Sequence, residues 1–494
     1  MSENIYRKLG GQTLVYGLGT MIPRVLNYII LTPYFTYYVF KNDMNEYGKL
    51  TELYAYLSFL IILLTYGMET AYFRFYNKED VKDKVFSTII TSVFTTSLAF
   101  ILMVTVFIKK ICNFLKYSNE KDLIIILAAI VAIEAFSAIP FAKLRVLEKA
   151  KKFALFKGIN IFVNILFILF FYNFLPEIGL KELIENSHGD VSVKFVLLAN
   201  LLTSSIILLM LLPELREFAI KKVNWNLLRT LLKFGWPLLI AGFAGIINES
   251  LDRSILKQLI PNEIKGLHDL AVYGANYKIA AFILLFIQIY RFAIEPFFFN
   301  YEKNNDSKRQ YASLMNLFVG ITVFMGLFIM VFLNYIKYFV PSAYQEGLGV
   351  VPYIIIAYIF SGIYYNHSVW FKLSEKTIYA VYIASIGAIA TIILNVVYVP
   401  KYSYHASAVA TVIAYGLMVI FSFIFSVRYY YIKYNLKRII LYFIIGIGLV
   451  ILSKLIDIRI LILNLTIKTV IVSIFAIFVI WREGLLKTFQ RFKR

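Results

Sequence analysis

Apolar residues in this chain neither alternate nor stripe. They form unbroken runs of about 18 residues or more, divided by short charged breaks. A run of that length as a helix crosses a hydrocarbon layer about 30 Å thick. Reading the apolar windows between breaks predicts fourteen spans: 10–39, 50–73, 85–108, 122–142, 153–175, 191–212, 234–257, 270–299, 311–340, 348–371, 377–399, 404–427, 437–453 and 460–481. Lipid admits only helices or closed barrels, and these runs are too long for strands, so all are expected as helices. The predicted class is all-α, a polytopic membrane protein.

An even number of spans puts both termini on one side. The loops of that side include "NKEDVKDK" (77–84), "KLRVLEKAKK" (143–152), "KKVNWNLLR" (221–229) and the tail "KTFQRFKR" (487–494). They hold about 31 Lys and Arg, against about 16 on the other side, so both termini are expected in the cytoplasm. The net charge of +21 is thereby read as a topology signal and an attraction to anionic lipid, not as a nucleic-acid surface. The longest loop on the far side, around 176–190, is too short to fold alone, which counts against an exterior catalytic domain. After Arg7 and Lys8 the apolar stretch continues for about thirty residues, unlike a cleavable signal segment.

Composition removes further classes. The single cysteine, Cys112, excludes an internal disulfide, and four scattered histidines lack metal-ligand spacing. No phosphate-cradling GxxxxGK[ST] loop occurs, and no nucleophile–base pair is apparent, so the chain is not expected to be an enzyme. No metal or cofactor is expected beyond a coupling Na+ or H+.

Two six-helix halves can be superposed along the sequence. Tyr47-Gly48 matches Tyr273-Gly274 and Glu69 matches Glu295, both at a separation of 226. "KLGGQTL" (8–14) matches "KFGWPLL" (233–239), and "LEKAKKFA" (147–154) matches "SEKTIYAV" (374–381), at nearly the same offset. Halves of six helices enter from the same side and should be related by an axis along the membrane normal. The expected domains are residues 1–222, residues 223–434, and an appendage of two helices with a basic tail, 435–494.

Charges inside the spans demand an explanation. Arg24 lies about 16 residues from Lys8 and has a comparable apolar stretch after it, roughly 24 Å each way, beyond the snorkelling reach of one arginine. It must therefore meet a polar cavity or an ion-pair partner, and Pro23 and Pro33 would bend the same helix. Helix 7 carries Asn248, Glu249, Asp252 and Arg253 at the matching depth, although Asp252 and Arg253 also fit the exterior end of that helix. Gln288, Arg291 and Glu295 share one helical face, readable as a cavity stripe or as a private salt bridge. Glu134 shows no partner in sequence and is a candidate ion-coupling carboxylate. Lys468 is expected to snorkel outward.

"YGLGTMIPRVLNYIILTPYFT" (16–36), "EYGKL" (46–50), "YGMETAYFRF" (66–75), "LLKFGWPLL" (231–239), "DRSIL" (252–256), "YGANYKIA" (273–280) and "RFAIEPFFF" (291–299) together resemble the polysaccharide-exporter branch of the multidrug/oligosaccharidyl-lipid/polysaccharide flippase superfamily, from about residue 8 to 430. The resemblance implies two six-helix lobes around a central cavity, working by alternating access. It implies a polyprenyl-pyrophosphate-linked oligosaccharide as cargo, moved across a bacterial inner membrane by a monomer, with membrane lipids around it and a glycan polymerase or ligase as possible partner. Carried onto this sequence, the resemblance implies Arg24, Asp252 and Arg253 as substrate residues; from the residues themselves Asn27, Gln288 and Arg291 are added as cavity candidates, and Glu69, Glu295 and Glu134 as gating or ion-coupling candidates. A drug/cation antiporter and a peptidoglycan-precursor flippase are the alternatives within the superfamily, and a non-transporting assembly scaffold is the alternative outside it.

Overall fold

The computed structural model describes residues 25–76, 82–118, 120–185, 191–216, 218, 223–301, 306–374, 376–456 and 458–484. Among them the protein is all-α, with no β-strand and thirteen helical stretches long and apolar enough to cross a membrane. These thirteen are the second to fourteenth of the expected spans. Of the first, residues 25–39 are helical, while Pro23 and Arg24 lie outside the described residues.

Pro33 leaves its mark on that first segment. A proline has no N–H to give the carbonyl one turn back, so the ladder cannot run on in register. Three α-helical residues, Thr32–Tyr34, are bracketed by π-helical turns at Asn27–Leu31 and Phe35–Val39. The Phe40 amide closes the second, donating five residues back to the Phe35 carbonyl at 2.8 Å.

The chain forms two compact units. The first comprises residues 1–274 and 395–403, the second residues 275–394 and 404–494. The first contains α1 (Met44–Thr65), α2 (Met68–Phe75), α3 (Lys82–Val106), α4 (Ile108–Phe114), α5 (Lys121–Val146), α6 (Ala150–Leu169), α7 (Lys194–Leu211) and α8 (Trp225–Leu259). At its centre is α5, which touches α1, α2, α3, α6 and α7. Most of its residues are buried, and the flank that carries Ile125 is the exposed one. Between α1 and α2 the chain breaks at Tyr66 and Gly67, and Gly67 takes a φ of 77°. A Cβ there would stand 2.7 Å from the Gly235 carbonyl oxygen of α8, so the break and α8 meet backbone to backbone.

The helix α9 (Glu263–Tyr301) begins in the first unit and continues in the second. The second unit adds α10 (Ser307–Val331), α11 (Val351–His367), α12 (Val369–Leu373), α13 (Ile378–Tyr402, its last residues counted with the first unit), α14 (Tyr404–Tyr429), α15 (Leu436–Leu455) and α16 (Leu461–Arg482). The helices α11 and α14 pack along their length, and α10 carries α11 on one side and α15 and α16 on another. Lys468 of α16 departs from the outward snorkelling expected of it. It is 4% exposed, and its Nζ lies 5.2 Å from the centre of the Tyr335 ring, which offers the ammonium an aromatic face in place of water.

Candidate functional site

Within the first unit, polar groups gather at the two ends of the bundle and at one place between. One end holds the start of α1, the segment between α4 and α5, and the close of α8. There the Lys257 ammonium donates to Glu52 Oε2 at 3.0 Å and to the Leu115 carbonyl at 3.0 Å. It also lies 3.7 Å from the centre of the Tyr117 ring, whose hydroxyl donates to the same carboxylate at 2.6 Å. Gln258 and Tyr56 serve the other oxygen, Glu52 Oε1, at 3.3 and 2.7 Å. Both charged side chains are wholly buried. A buried ion pair survives only when its lone pairs and protons are met, and here four residues from three segments meet them. Beside it, Lys49 bridges Glu46 and Glu120, and Glu46 also accepts from the Val193 amide at 2.7 Å.

Asp252 and Arg253 sit one turn before Lys257. Asp252 is buried and accepts from the Tyr273 hydroxyl at 2.5 Å, which ties α8 to the start of α9. Arg253 donates to the Glu249 carbonyl and to Ser250 Oγ, and its Nε stands 3.9 Å from Asp252 Oδ1. Both are thus engaged within α8 and α9. The repeat-matched glycines work at the same end: a Cβ on Gly48 would stand 2.2 Å from the Leu267 carbonyl oxygen, and one on Gly274 would stand 2.7 Å from the Thr51 side chain. The two Tyr-Gly pairs let α1 and α9 approach each other reciprocally.

The opposite end of the unit is cationic and aromatic. Arg74 lies over Phe234, Arg145 over Phe73 and Lys157 over Phe141, at 4.7, 4.7 and 4.2 Å from the ring centres. Glu69 of α2 feels the charges of Arg145 and Lys157. Nearby, Lys149 and Lys152 hold Glu214, which Lys143 joins through the backbone carbonyl. Between the ends, Glu134 accepts from Ser204 Oγ at 3.2 Å. Asn164, Asn200 and Tyr54 form a chain of hydrogen bonds across α6, α7 and α1.

In the second unit one member of the expected stripe on α9, Arg291, meets α11 beside α12. The Arg291 guanidinium lies 4.3 Å from the centre of the Tyr365 ring, and the Lys372 ammonium lies 4.7 Å from the same centre and 3.4 Å from its hydroxyl. Arg291 itself is exposed and Tyr365 is buried beneath it. The Tyr290 hydroxyl donates to Asn366 Oδ1 at 2.6 Å, fixing α9 against α11 next to the pair. Gln288 is half-buried on the same helix. The side chains of Glu295 and Asn27 are outside the described residues, as is all of Arg24.

Lys257, Glu52, Tyr117 and Lys372 escaped sequence reading. Glu52 and Lys257 each fall within two residues of a predicted span edge, where charge is unremarkable, and Lys372 sits just past the end of one. Their only sequence signal is that Glu52 and Lys257 lie at edges on the same side of the membrane.

Against known families, residues 9–302 match the model described as "Polysaccharide biosynthesis protein". The chain belongs to that family. No curated protein matches it. Among solved structures, the lipid II flippase MurJ in an inward closed conformation is similar with a TM-score of 0.71 at 16% identity, covering 95% of this chain and 99% of that one. MATE in complex with MaD3S gives 0.60 at 13% identity, over 86% and 98%. A MOP superfamily transporter from Pyrococcus furiosus, whose binding pocket is described as reversed in polarity, gives 0.56 at 13% identity, over 86% and 97%. This member of the polysaccharide biosynthesis family therefore has the fold of MOP superfamily flippases and transporters, with many membrane-crossing helices.

Proposed function

We propose that this chain moves a polyprenyl-pyrophosphate-linked oligosaccharide from the inner to the outer leaflet of a bacterial cytoplasmic membrane by alternating access, its termini in the cytoplasm. The observation that carries the reading is the pairing of Arg291 and Lys372 on one tyrosine ring. The two cations are held within about 9 Å of one another, close enough for one polyanionic group to reach both. A guanidinium gives a planar fork and an ammonium a compact charge, and a pyrophosphate has oxygens for both. A cationic drug would be repelled by the same pair, which weighs against an antiporter. Family membership favours a glycan. The similarity in fold to a lipid II flippase favours, as second reading, a peptidoglycan precursor joined to its lipid through the same pyrophosphate chemistry.

In this proposal Arg24, Asn27 and Gln288 complete the anion- and sugar-binding surface, an H+ or Na+ gradient drives the cycle, and a polymerase or ligase takes the product. The deciding experiment replaces Arg291 and Lys372 with alanine, singly and together, in a producing cell. The lipid-linked intermediate should accumulate on the cytoplasmic side and surface glycan should fall. Normal surface glycan in the double variant, with the protein present in the membrane, ends the proposal. Drug resistance on overexpression would replace it with the antiporter.

A further inference from the structure

The helices α11 and α12 are separated only by Ser368. The Ser368 amide reaches back to the Tyr364 and Tyr365 carbonyls, and its hydroxyl donates to the Tyr365 carbonyl at 2.6 Å. This joint stands between Tyr365 on α11 and Lys372 on α12, whose ammonium returns to the Tyr365 ring. That placement does not sustain itself. A lysine side chain is long and flexible, and Arg291 on the same ring repels it. What keeps Lys372 there has to fix α12 from outside.

Ser422 of α14 is placed to do so. Its Oγ accepts from the Trp370 indole N–H at 3.0 Å and lies 2.7 Å from His367 Nδ1. One hydroxyl can serve both, accepting from the indole while its proton or second lone pair meets the imidazole. His367 closes α11 and Trp370 belongs to α12, so a single side chain holds both sides of the joint. All three residues are buried, and a variant without the hydroxyl would leave two buried ring nitrogens short of a partner. Ring contacts with α14 extend the grip. The His367 ring lies 4.0 Å from that of Phe423, and Trp370 stacks on Tyr429 at 6.1 Å with an interplanar angle of 7°.

We propose that Ser422 is a positioning residue for the cation pair: by holding His367 and Trp370 it fixes the angle at Ser368, and that angle sets Lys372 on the ring it shares with Arg291. The inference rests on the reading of Arg291 and Lys372 as the anion site and adds what holds that site to its spacing. Ser422 touches no cargo. Its loss leaves both cations in the chain but frees the root of Lys372, so an arriving anion meets two charges whose separation is no longer fixed.

The first arm of the test needs no cargo. In the full chain purified into lipid nanodiscs, with Cys112→Ala as background, Lys372→Cys reports the place of α12 through its rate of labelling by a maleimide. Ser422→Ala should change that rate several-fold. Trp370→Phe, which keeps a ring and loses the N–H, should change it in the same direction, and it carries the test should Ser422→Ala fail to fold. Tyr338→Cys, at an exposed position beyond α10, is the control, and its rate should stay the same in every variant. The second arm is transport in cells, read as accumulated lipid-linked intermediate. Ser422→Ala should lower transport several-fold where Lys372 is present and add no further loss to Lys372→Ala, because a residue that acts through Lys372 has nothing to act on without it. A packing role alone would add its loss in both backgrounds. Unchanged labelling at position 372, an equal change at position 338, or additive losses of transport overturns the proposal. Normal surface glycan in the double alanine variant of Arg291 and Lys372 overturns the anion-site reading instead, since the labelling arm still judges the joint.

Discussion

Lys257 Nζ and Glu52 Oε2 stand 3.0 Å apart, and neither side chain has any surface open to solvent. Two elementary charges have been removed from water to join the end of α8 to the start of α1. Their desolvation is offset only because Tyr117, Tyr56, Gln258 and the Leu115 carbonyl complete the shell. Such a knot is a poor source of stability and a good means of specifying one arrangement.

Breaking one partner should cost far more than removing both. Lys257→Met leaves the Glu52 carboxylate buried and unneutralised, for a loss of about 3–5 kcal/mol. Glu52→Gln combined with Lys257→Met should recover most of that loss. Thermal melting of the three purified variants checks the order. A double variant no more stable than the single would show that the charges do not act as a pair.

Gly48 tolerates no side chain, because the Leu267 carbonyl oxygen stands 2.2 Å from where its Cβ would be. Gly48→Ala is expected to push α1 and α9 apart and to lower stability by about 1–3 kcal/mol or more. Gly245→Ala is the control. It is helical, and no atom lies within 4 Å of its added Cβ, so it should be neutral or slightly stabilising. Equal melting temperatures for the two variants would sink the close-approach argument.

The ring of Tyr365 should matter more than its hydroxyl. Tyr365→Phe keeps the face that carries Arg291 and Lys372, losing only a 3.4 Å contact, and should keep most transport. Tyr365→Leu removes the face and should reduce transport several-fold, since a cation on an aromatic contributes about 0.5–2 kcal/mol. Arg291→Lys should fall between wild type and Arg291→Ala. Accumulation of the lipid-linked intermediate in cells is the readout.

Cys112 should be silent in the native protein. It is fully buried outside the membrane-crossing helices, and burial raises its thiol above the usual range despite the charge of Lys121. With a raised pKa the thiolate fraction at neutral pH falls, so maleimide labelling should be slow up to mildly alkaline pH and complete only in denaturant. Rapid labelling of the folded chain at pH 7 would contradict the burial.

Helix after helix, the membrane spans were legible because a bilayer-crossing segment must satisfy its own backbone and present apolar side chains, both of which are local properties. That Pro33 would disturb its helix was legible for the same reason, as a missing N–H acts whatever the surroundings, though π-helical turns stand there and not the bend the sequence suggested. The stripe on α9 could be placed on one face by spacing alone, and Arg291 does meet a neighbouring helix there.

Partnership was a different matter. Nothing near Glu52 in the chain points to Lys257, 205 residues on, and nothing near Arg291 points to Tyr365 and Lys372. Composition and periodicity by themselves determined that this is an all-helical membrane protein, where its helices run and which charges lie too deep to be ignored. Only the packing of helices decided which of those charges neutralise each other and which share an aromatic face. Hydrophobicity is a property of a residue, whereas an ion pair or a cation on a ring is a property of a distance between elements remote in sequence.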